Sequence, residues 1–241
     1  MTISLAIPTY NSSKYFWDCI KPAINNDFIS EIIVHDDCSD NSEYANMFEI
    51  ISNINTDKIK IYRGSKNEKA FVNKYLTVSK CTNDWVYLFD SDNWFDETII
   101  DVLEELDYSK KDTCFIEKTL YVTDGNIVTY DYEDAIIDLS VAKKYIQNGK
   151  HHFDWFLNNG NFVVNKETYL KSHEDFFINK IYHGSIDVFL FSYYWFMYDN
   201  KYEIVDGLYH HHRVRPGNYF MDNYEENMQL VQKYFDMILK L

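Results

Sequence analysis

Two carboxylates one residue apart, Asp90 and Asp92, are the clearest sign of chemistry in the sequence, because they directly follow the apolar run WVYLF. Hard divalent cations such as Mg²⁺ and Mn²⁺ take oxygen ligands and often bridge to the phosphates of a substrate. On an extended turn, both side chains can face one point beyond the end of a strand. A solvated turn or a helix cap would use the same residues, since this pattern is short and recurs by chance.

A second pair of acids, Asp36 and Asp37, follows the apolar run EIIVH. Acids at such a position form an Asx turn or cap the next helix. Ser39 and Asp40 could equally supply that cap, so two acids in succession exceed what one helix start requires. We therefore expect a carboxylate here to accept hydrogen bonds from a ribose hydroxyl or a base N–H.

The elements that must position these residues alternate regularly over the first hundred residues. Apolar runs typical of strands occupy 3–8, 31–35, 58–62 and 85–89, and helices are predicted after Ser12 or Ser13, from Ser42, and over 68–79. Four such units with short connections predict an α/β fold, in which a mostly parallel central sheet carries helices on both faces. Ligands bind at the carboxyl ends of such strands, where the polar clusters lie.

The second half of the sequence is less regular. A hairpin is predicted over 114–130, helices over 139–147, 185–198 and 224–241, and short strands over 160–165 and 202–205. The C-terminal segment places its apolar residues on one helical face and has no basic polar face, so we interpret it as a helix that covers the core rather than a membrane anchor.

Charge and composition limit the classes of function. The chain has 241 residues, of which 46% are hydrophobic and 18% aromatic. It is therefore long enough to bury a stable core without disulfide or metal crosslinks. Its 38 acidic residues against 23 basic ones give a net charge of -15, which opposes binding to nucleic acid or to an anionic membrane. An anionic substrate would therefore need a metal ion or a few local basic residues.

Cysteine usage and hydropathy predict a cytoplasmic protein. The four cysteines lie far apart and form no CxxC pair, which favours reduced thiols over a zinc cluster or a disulfide scaffold. The N-terminal apolar run has no basic region before it, so we interpret it as a buried strand rather than a signal peptide. No stretch approaches the roughly 18–20 apolar residues of a membrane span.

Taken together, these motifs resemble a known family. Three segments follow the order and spacing seen in the nucleotide-sugar-binding half of family 2 glycosyltransferases of the GT-A fold. They are ISLAIPTYN, EIIVHDDCSDNS and FDSDN. The segment 67–74 is similar to that family's helix start, 159–164 to its GGN-type acceptor-side strand, and 210–213 to its later His/Arg loop. The resemblance covers about residues 1–218. It implies one GT-A domain over 1–241, with a nucleotide-sugar-binding half at about 1–110, a smaller acceptor-side half at about 111–218 and a C-terminal helix at 219–241.

The resemblance implies a role for individual residues on the donor side. Those that would border or contact the nucleotide of a UDP- or GDP-sugar are Pro8, Tyr10, Asn11, Asp37, Asn67, Asp90 and Ser91. Asp90 would face the ribose or the metal, and Asp92 would bind the Mn²⁺ or Mg²⁺ that bridges the diphosphate. The metal would stabilise the departing nucleoside diphosphate by neutralising its charge.

On the acceptor side, the resemblance implies that Asp187 is the general base of an inverting transferase, taking the proton from an acceptor hydroxyl. Asn161 belongs to the matching acceptor-side strand. Trp155 could stack on a sugar ring, although core packing is the favoured interpretation in so aromatic a chain. The acceptor would be a hydroxyl on a glycan, a lipid-linked saccharide or a protein-attached sugar.

The histidine run raises the question of a zinc site. Neighbouring residues of a strand point to opposite faces, so at most His210 and His212 share a direction, and neither HxxxH nor HExxH occurs. We expect one histidine, His212, to be a further ligand of the diphosphate-bound metal, with Arg213 and Arg215 holding phosphate. The alternative is a surface loop whose histidines only form hydrogen bonds.

Departures from the family pattern leave alternatives open. The usual acidic pair before the acceptor-side helix is reduced to Asp187, and Val72 stands where the family has arginine. Lys66, Lys69 or Lys74 would supply the positive charge instead. A sugar nucleotidyltransferase is a rival, although the turn after the first strand lacks the glycine-rich phosphate loop of that class. A catalytically degenerate module that binds nucleotide sugar or glycan is the non-enzymatic alternative.

Overall fold

The computed structural model describes residues 1–54, 56–179, 187–214 and 224–241. In its first part, strands and helices alternate as the sequence predicts. The elements are β1 (Ile3–Thr9), α1 (Ser13–Ile20), β2 (Ile29–Asp36), α2 (Asn41–Ser52), β3 (Ile59–Arg63), α3 (Lys69–Lys80), β4 (Trp85–Leu88) and α4 (Thr98–Glu104), with a 3₁₀ turn at Lys21–Ala23. Strands β1 and β4 are buried along their whole length, as the apolar runs require.

The later part is a mixture of short helices and strands. Its elements are β5 (Thr113–Val122), β6 (Ile127–Thr129), β7 (Ile136–Ile137), α5 (Leu139–Gln147), α6 (Phe153–Leu157), β8 (Phe162–Asn165), α7 (Lys166–Ser172), α8 (Glu174–Asn179), α9 (Asp187–Met197), β9 (Lys201–His212) and α10 (Tyr224–Lys240). The predicted hairpin is present as β5 and β6, which pair antiparallel.

One mixed sheet joins both parts, in the order β3-β2-β1-β4-β8-β5-β9-β7. Strands β3, β2, β1 and β4 are parallel, whereas β8 runs antiparallel to both β4 and β5, and β9 runs parallel to β5. This geometry brings the start of β8 and the end of β9 to the same edge as the carboxyl ends of β1, β2 and β4. Residues remote in sequence therefore meet at the edge where ligands bind in such sheets.

Successive side chains of each strand point to opposite faces of the sheet and contribute to two hydrophobic layers, one on each face. In β1, Leu5 and Ile7 pack with α1, α2 and α4, while Ala6 lies on the opposite face with α3, α9 and α10. The predicted arrangement of helices on both faces is confirmed. Among the described residues, no helix is both long enough and apolar enough to cross a membrane.

The starts of two helices differ from the prediction. The Ser12 hydroxyl does not cap α1, because it lies 2.7 Å from the hydroxyls of both Thr9 and Ser91. Helix α2 begins at Asn41 after Asp40, rather than at a cap formed by Ser42. In both places the polar side chains contact neighbouring loops instead of the helix that follows them.

Candidate active site

A cavity of about 800 Å³ lies at the carboxyl edge of the parallel strands. It brings together the sequence-predicted residues Pro8, Tyr10, Asn11, Asp37, Asn67, Asp90, Ser91, Asp92, Trp155, Asn161, Asp187, His212 and Arg213. Arg215 lies outside the described residues. The predicted donor-side and acceptor-side residues therefore share one cavity, although their chemical roles stay predictions.

Asp37 connects the end of β2 to the start of α3. Its buried carboxylate accepts hydrogen bonds from the backbone N–H groups of Glu68, at 2.7 Å, and Lys69, at 2.9 Å. Burial raises the pKa of Asp37, and these two hydrogen bonds oppose the rise. The carboxylate thus holds the loop before α3 at the wall of the cavity. A contact with a base or ribose stays a prediction.

The two turns that carry the predicted donor-binding residues are joined by hydroxyl groups. Thr9, Ser12 and Ser91 form a buried chain in which each neighbouring pair of hydroxyl oxygens is 2.7 Å apart. Ser91 therefore ties the Asp90–Asp92 turn to the turn after β1. Tyr10, which lies between them at the cavity wall, is 46% exposed and leaves an aromatic face open to a ligand.

Lys74 is one of the three lysines that the sequence offers as a source of positive charge near the phosphates, and that role stays a prediction. Its side chain is only 9% exposed, and its ammonium lies 3.1 Å from Asp90 Oδ1 and 2.8 Å from Asp187 Oδ2. Burial alone would lower the pKa of Lys74, but Asp187 and Asp90 outweigh burial and raise it. Burial also raises the pKa of Asp90, against the effect of Lys74. Lys69 lines the cavity as well, whereas the Lys66 ammonium pairs with Glu68 at an exposed position.

Asp92 and His212 are the pair best suited to a metal ion. Burial lowers the pKa of His212 to about 4, so its imidazole is neutral at pH 7 and a nitrogen can bind metal. Asp92 lies close enough for its charge to act on His212. Within the described part of the chain, no three His, Cys, Asp or Glu side chains form a complete metal-binding group. The residues fit Mn²⁺ or Mg²⁺ only where phosphate or water oxygens complete the coordination.

The histidine run lies on strand β9 rather than in a surface loop, so the loop alternative is wrong. Its members alternate as the strand geometry predicts: His212 lines the cavity, and His211 faces away to contact Asp96 at 3.0 Å and stack on Trp94. His210 shares the direction of His212, but it is buried beneath the cavity.

Arg213 forms part of the cavity wall beside Asp92 and His212. Its guanidinium lies between the rings of Tyr15 and Trp94, 4.4 and 4.6 Å from their centroids. The Arg213 Nε donates a 2.9 Å hydrogen bond to the carbonyl of Asp92, and its Nη2 lies 3.2 Å from Asp18. Arg213 thus supports the Asp92 backbone, while its contact with phosphate stays a prediction.

Asn161, just before β8, supports the Asp90–Asp92 turn. Its Oδ1 accepts a 2.8 Å hydrogen bond from the Asp90 N–H, and its Nδ2 lies 3.0 Å from His210 Nε2. The other ring nitrogen of His210 lies 2.9 Å from Glu117, a buried carboxylate on β5 that also accepts a hydrogen bond from Asn159. Sequence reasoning missed Glu117. Its only signal was one acid inside the otherwise apolar start of β5.

Trp155 corrects the expectation of core packing. It lies on α6 at the cavity wall and is 44% exposed, whereas its neighbours Phe153 and Phe156 are buried. Helix α6 directs Phe153 and Phe156 to the core and Trp155 to the cavity. The exposed indole ring is therefore available to stack on a sugar.

Comparisons with known proteins agree with this geometry. The family model described as glycosyl transferase family 2 matches residues 4–195. The glycosyltransferase GlyG of Streptococcus pneumoniae serotype 4 is 25% identical over 174 residues, which are 67% of this chain and 54% of GlyG. The chain therefore spans about half the length of that relative.

Solved structures share the fold. The structure of S. aureus TarS residues 1–349 in complex with UDP-GlcNAc matches with a TM-score of 0.66 and 18% identity, covering 99% of this chain and 70% of that one. GalNAc-T7 with UDP, GalNAc and Mn²⁺ matches with a TM-score of 0.63 and 14% identity, covering 90% of this chain and 44% of that one.

The sheet, the cavity at its edge and these likenesses define a GT-A transferase domain, which confirms the predicted fold. The chain belongs to glycosyl transferase family 2.

Proposed function

We propose that this domain is a metal-dependent, inverting glycosyltransferase that moves a sugar from a nucleotide-diphosphate donor to a hydroxyl of a glycan or glycoconjugate. One observation carries the proposal: Asp92 and His212 line the same cavity as Asp187, which begins the acceptor-side helix α9. A metal-binding pair and a separate carboxylate are the two parts that such a displacement requires.

Asp187 acts as the general base. It takes the proton from the acceptor hydroxyl as that oxygen bonds to the anomeric carbon, while the bond from this carbon to the phosphate oxygen breaks. The departing nucleoside diphosphate keeps the electron pair of that bond. Attack on the face opposite the leaving group inverts the configuration at the anomeric carbon.

On the donor side, Asp92 and His212 would hold Mn²⁺ or Mg²⁺, with Asp90 beside them. The ion supplies charge neutralisation at the leaving diphosphate when it is bound. Tyr10, with its exposed ring, and the Asp37 loop border the nucleotide end of the cavity. The ligands of the similar structures, UDP, UDP-GlcNAc, GalNAc and Mn²⁺, support a UDP-sugar as the first donor to test.

We also propose that residues 1–241 form one GT-A domain, a view supported by the sheet that continues from the parallel strands into β5, β9 and β7. The four free thiols support a reducing, cytoplasmic location.

The test is a thermal-shift panel of UDP, GDP and their sugars, each with Mn²⁺ and with EDTA. A ligand that binds only the folded protein raises the melting temperature. We expect a shift for UDP and a UDP-sugar that disappears with EDTA, and UDP release when an acceptor glycan is added. Nucleotide binding without any UDP release across donors and glycans would favour the degenerate binding module, and no shift from folded protein would contradict the donor site.

A further inference from the structure

The Lys74 ammonium joins two carboxylates that the proposed reaction uses for different purposes. It contacts Asp90 of the donor-binding turn at 3.1 Å and Asp187 of the acceptor-side helix at 2.8 Å. The Lys74–Asp187 pair is the better shielded of the two, because these side chains are only 9% and 13% exposed, whereas the Asp90 side chain is 32% exposed. Ion pairs at such positions are screened far less than surface pairs, so this contact has a large effect on where the Asp187 carboxylate lies.

Helix α3 restricts the position of Lys74. The first turn of α3 is held by Asp37 through the N–H groups of Glu68 and Lys69. One turn later, the buried Asn73 side chain lies 2.7 Å from His35 Nδ1 of β2. The neighbouring Lys74 therefore extends from a backbone anchored to the strands of the donor side.

Gly160 lies against the Asp90 carboxylate and the Lys74 ammonium and shows how tightly these two groups are packed. A Cβ atom at this position would lie 2.3 Å from Asp90 Oδ2 and 2.8 Å from the Lys74 ammonium. Any side chain at 160 would force at least one of the two charged groups to move. The adjacent residue, Asn161, accepts a 2.8 Å hydrogen bond from the Asp90 N–H.

We propose that Lys74 is a positioning residue, which holds the Asp187 carboxylate against the donor-binding turn so that the base and the donor lie at a set separation. Asp187 Oδ2 contacts Lys74, and we assign Oδ1 to the acceptor hydroxyl. The inference rests on the proposed function, because it acts through Asp187 as the base. It also gives a physical reason for a glycine at position 160.

The test is a double-mutant cycle of K74M and D187N. The readout is UDP release with Mn²⁺ from UDP-GlcNAc, UDP-GalNAc, UDP-glucose or UDP-galactose, whichever the wild type uses fastest. We expect K74M to lower kcat about 100-fold, within the range for misplacing a general base, while the Kd of UDP changes less than about 3-fold. In the D187N background, K74M should lower kcat by no more than about 3-fold further, because both residues act at one step. K74R should recover part of the loss.

Other results distinguish a failure of the inference on Lys74 from a failure of the proposed role of Asp187. Independent, multiplicative losses in the cycle would overturn a role through Asp187. A rise in the Kd of UDP or in the donor KM with unchanged kcat would make Lys74 a donor contact instead. Wild-type kcat in D187N would refute the proposed base itself, whereas loss in D187N with none in K74M would refute the inference on Lys74 alone.

Gly160→Ala is the second perturbation, since it displaces the charged groups without removing any charge. We expect it to lower kcat in the same direction as K74M, and unchanged kcat would contradict the packing argument. Lys80→Met is the matched control, because Lys80 is an exposed lysine at the far end of the same helix. Melting temperatures of all variants, measured with and without UDP and Mn²⁺, identify any variant that fails to fold.

Discussion

The two sides of the cavity that we propose for the donor and for the acceptor, called below the donor side and the acceptor side, are built in different ways. On the donor side, each polar cluster follows directly after a buried parallel strand, as Asp37 follows β2 and Asp90 follows β4. On the acceptor side, Asn161 precedes β8 and Asp187 begins α9. His212, which we propose as a donor-side metal ligand, comes from the end of the distant strand β9. Most of the donor side thus depends on local strand–turn–helix order, whereas the acceptor side and His212 depend on packing between segments that are distant in the sequence.

The supporting hydrogen bonds differ in the same way. Hydroxyl groups of Thr9, Ser12 and Ser91 connect neighbouring turns on the donor side. On the acceptor side, support for the Asp90 turn comes from Asn161 and, through His210, from β5. The Asp90 turn is therefore held from both sides, so substitutions in the acceptor half can affect either proposed role of the cavity. Three variants separate the two sides, and a fourth tests the place where they pack together.

The largest expected effect is on the acceptor side. Asp187→Asn should lower kcat about 1,000-fold, because an amide cannot take the proton of the acceptor hydroxyl. The Kd of UDP with Mn²⁺ should stay within about 3-fold, since the donor-side residues are unchanged. Steady-state UDP release and calorimetric UDP binding measure the two quantities. A large loss of UDP binding in this variant would mean that the two sides are not separable.

On the donor side, Asp92→Ala should have the opposite signature. It removes a proposed ligand of the metal, so the thermal shift by UDP with Mn²⁺ should disappear and kcat/KM should fall about 100-fold. EDTA should have the same effect on the wild type and none on the variant. Asp101→Ala, an exposed acid on α4, is the control and should behave as the wild type. Full UDP binding in Asp92→Ala would exclude Asp92 as the metal ligand.

His173 lies where the two sides pack together, with its ring 4.7 Å from Phe71 of α3 and 4.3 Å from Tyr169 of α7. Burial lowers the pKa of His173 to about 4. Between this value and the unfolded pKa of about 6.5, the unfolded chain binds the extra proton, so the free energy of unfolding decreases as the pH falls. The same reasoning applies to His212.

His173→Gln should therefore make the unfolding free energy less dependent on pH. We expect the decrease between pH 6.5 and 4 to be about 2 kcal/mol smaller than in the wild type, from the linkage of one shifted histidine. Urea unfolding at a series of pH values measures it. An equal decrease in both proteins would mean that His173 is not the group that titrates.

The smallest effect is expected at Trp155. Trp155→Ala should raise the acceptor KM about tenfold through the loss of stacking, while the donor KM does not change. Trp17→Ala is the matched control, because Trp17 is 43% exposed on α1 and does not line the cavity. A change in the donor KM would assign Trp155 to the donor instead.

Much of the donor side could be predicted because its signals are local. The boundaries of β1, β2 and β4 agree with the apolar runs to within a few residues, and the acids follow them as expected. The predictions failed where a side chain found a partner outside its own segment. Ser12 contacts Ser91 rather than capping α1. Trp155 is exposed, although the high aromatic content of the chain favoured core packing.

By itself, the sequence determined the strand–helix alternation, the positions of the acids at strand ends and the alternation of His210, His211 and His212. These follow from backbone periodicity and from hydrophobic burial, which act over a few residues. Only the tertiary structure decided that Lys74, among three candidate lysines, lies between Asp90 and Asp187, and that Glu117 reaches His210. A buried charge needs an opposite charge or a hydrogen bond within a few ångströms, and the pairing of distant strands and helices decides which residues come that close.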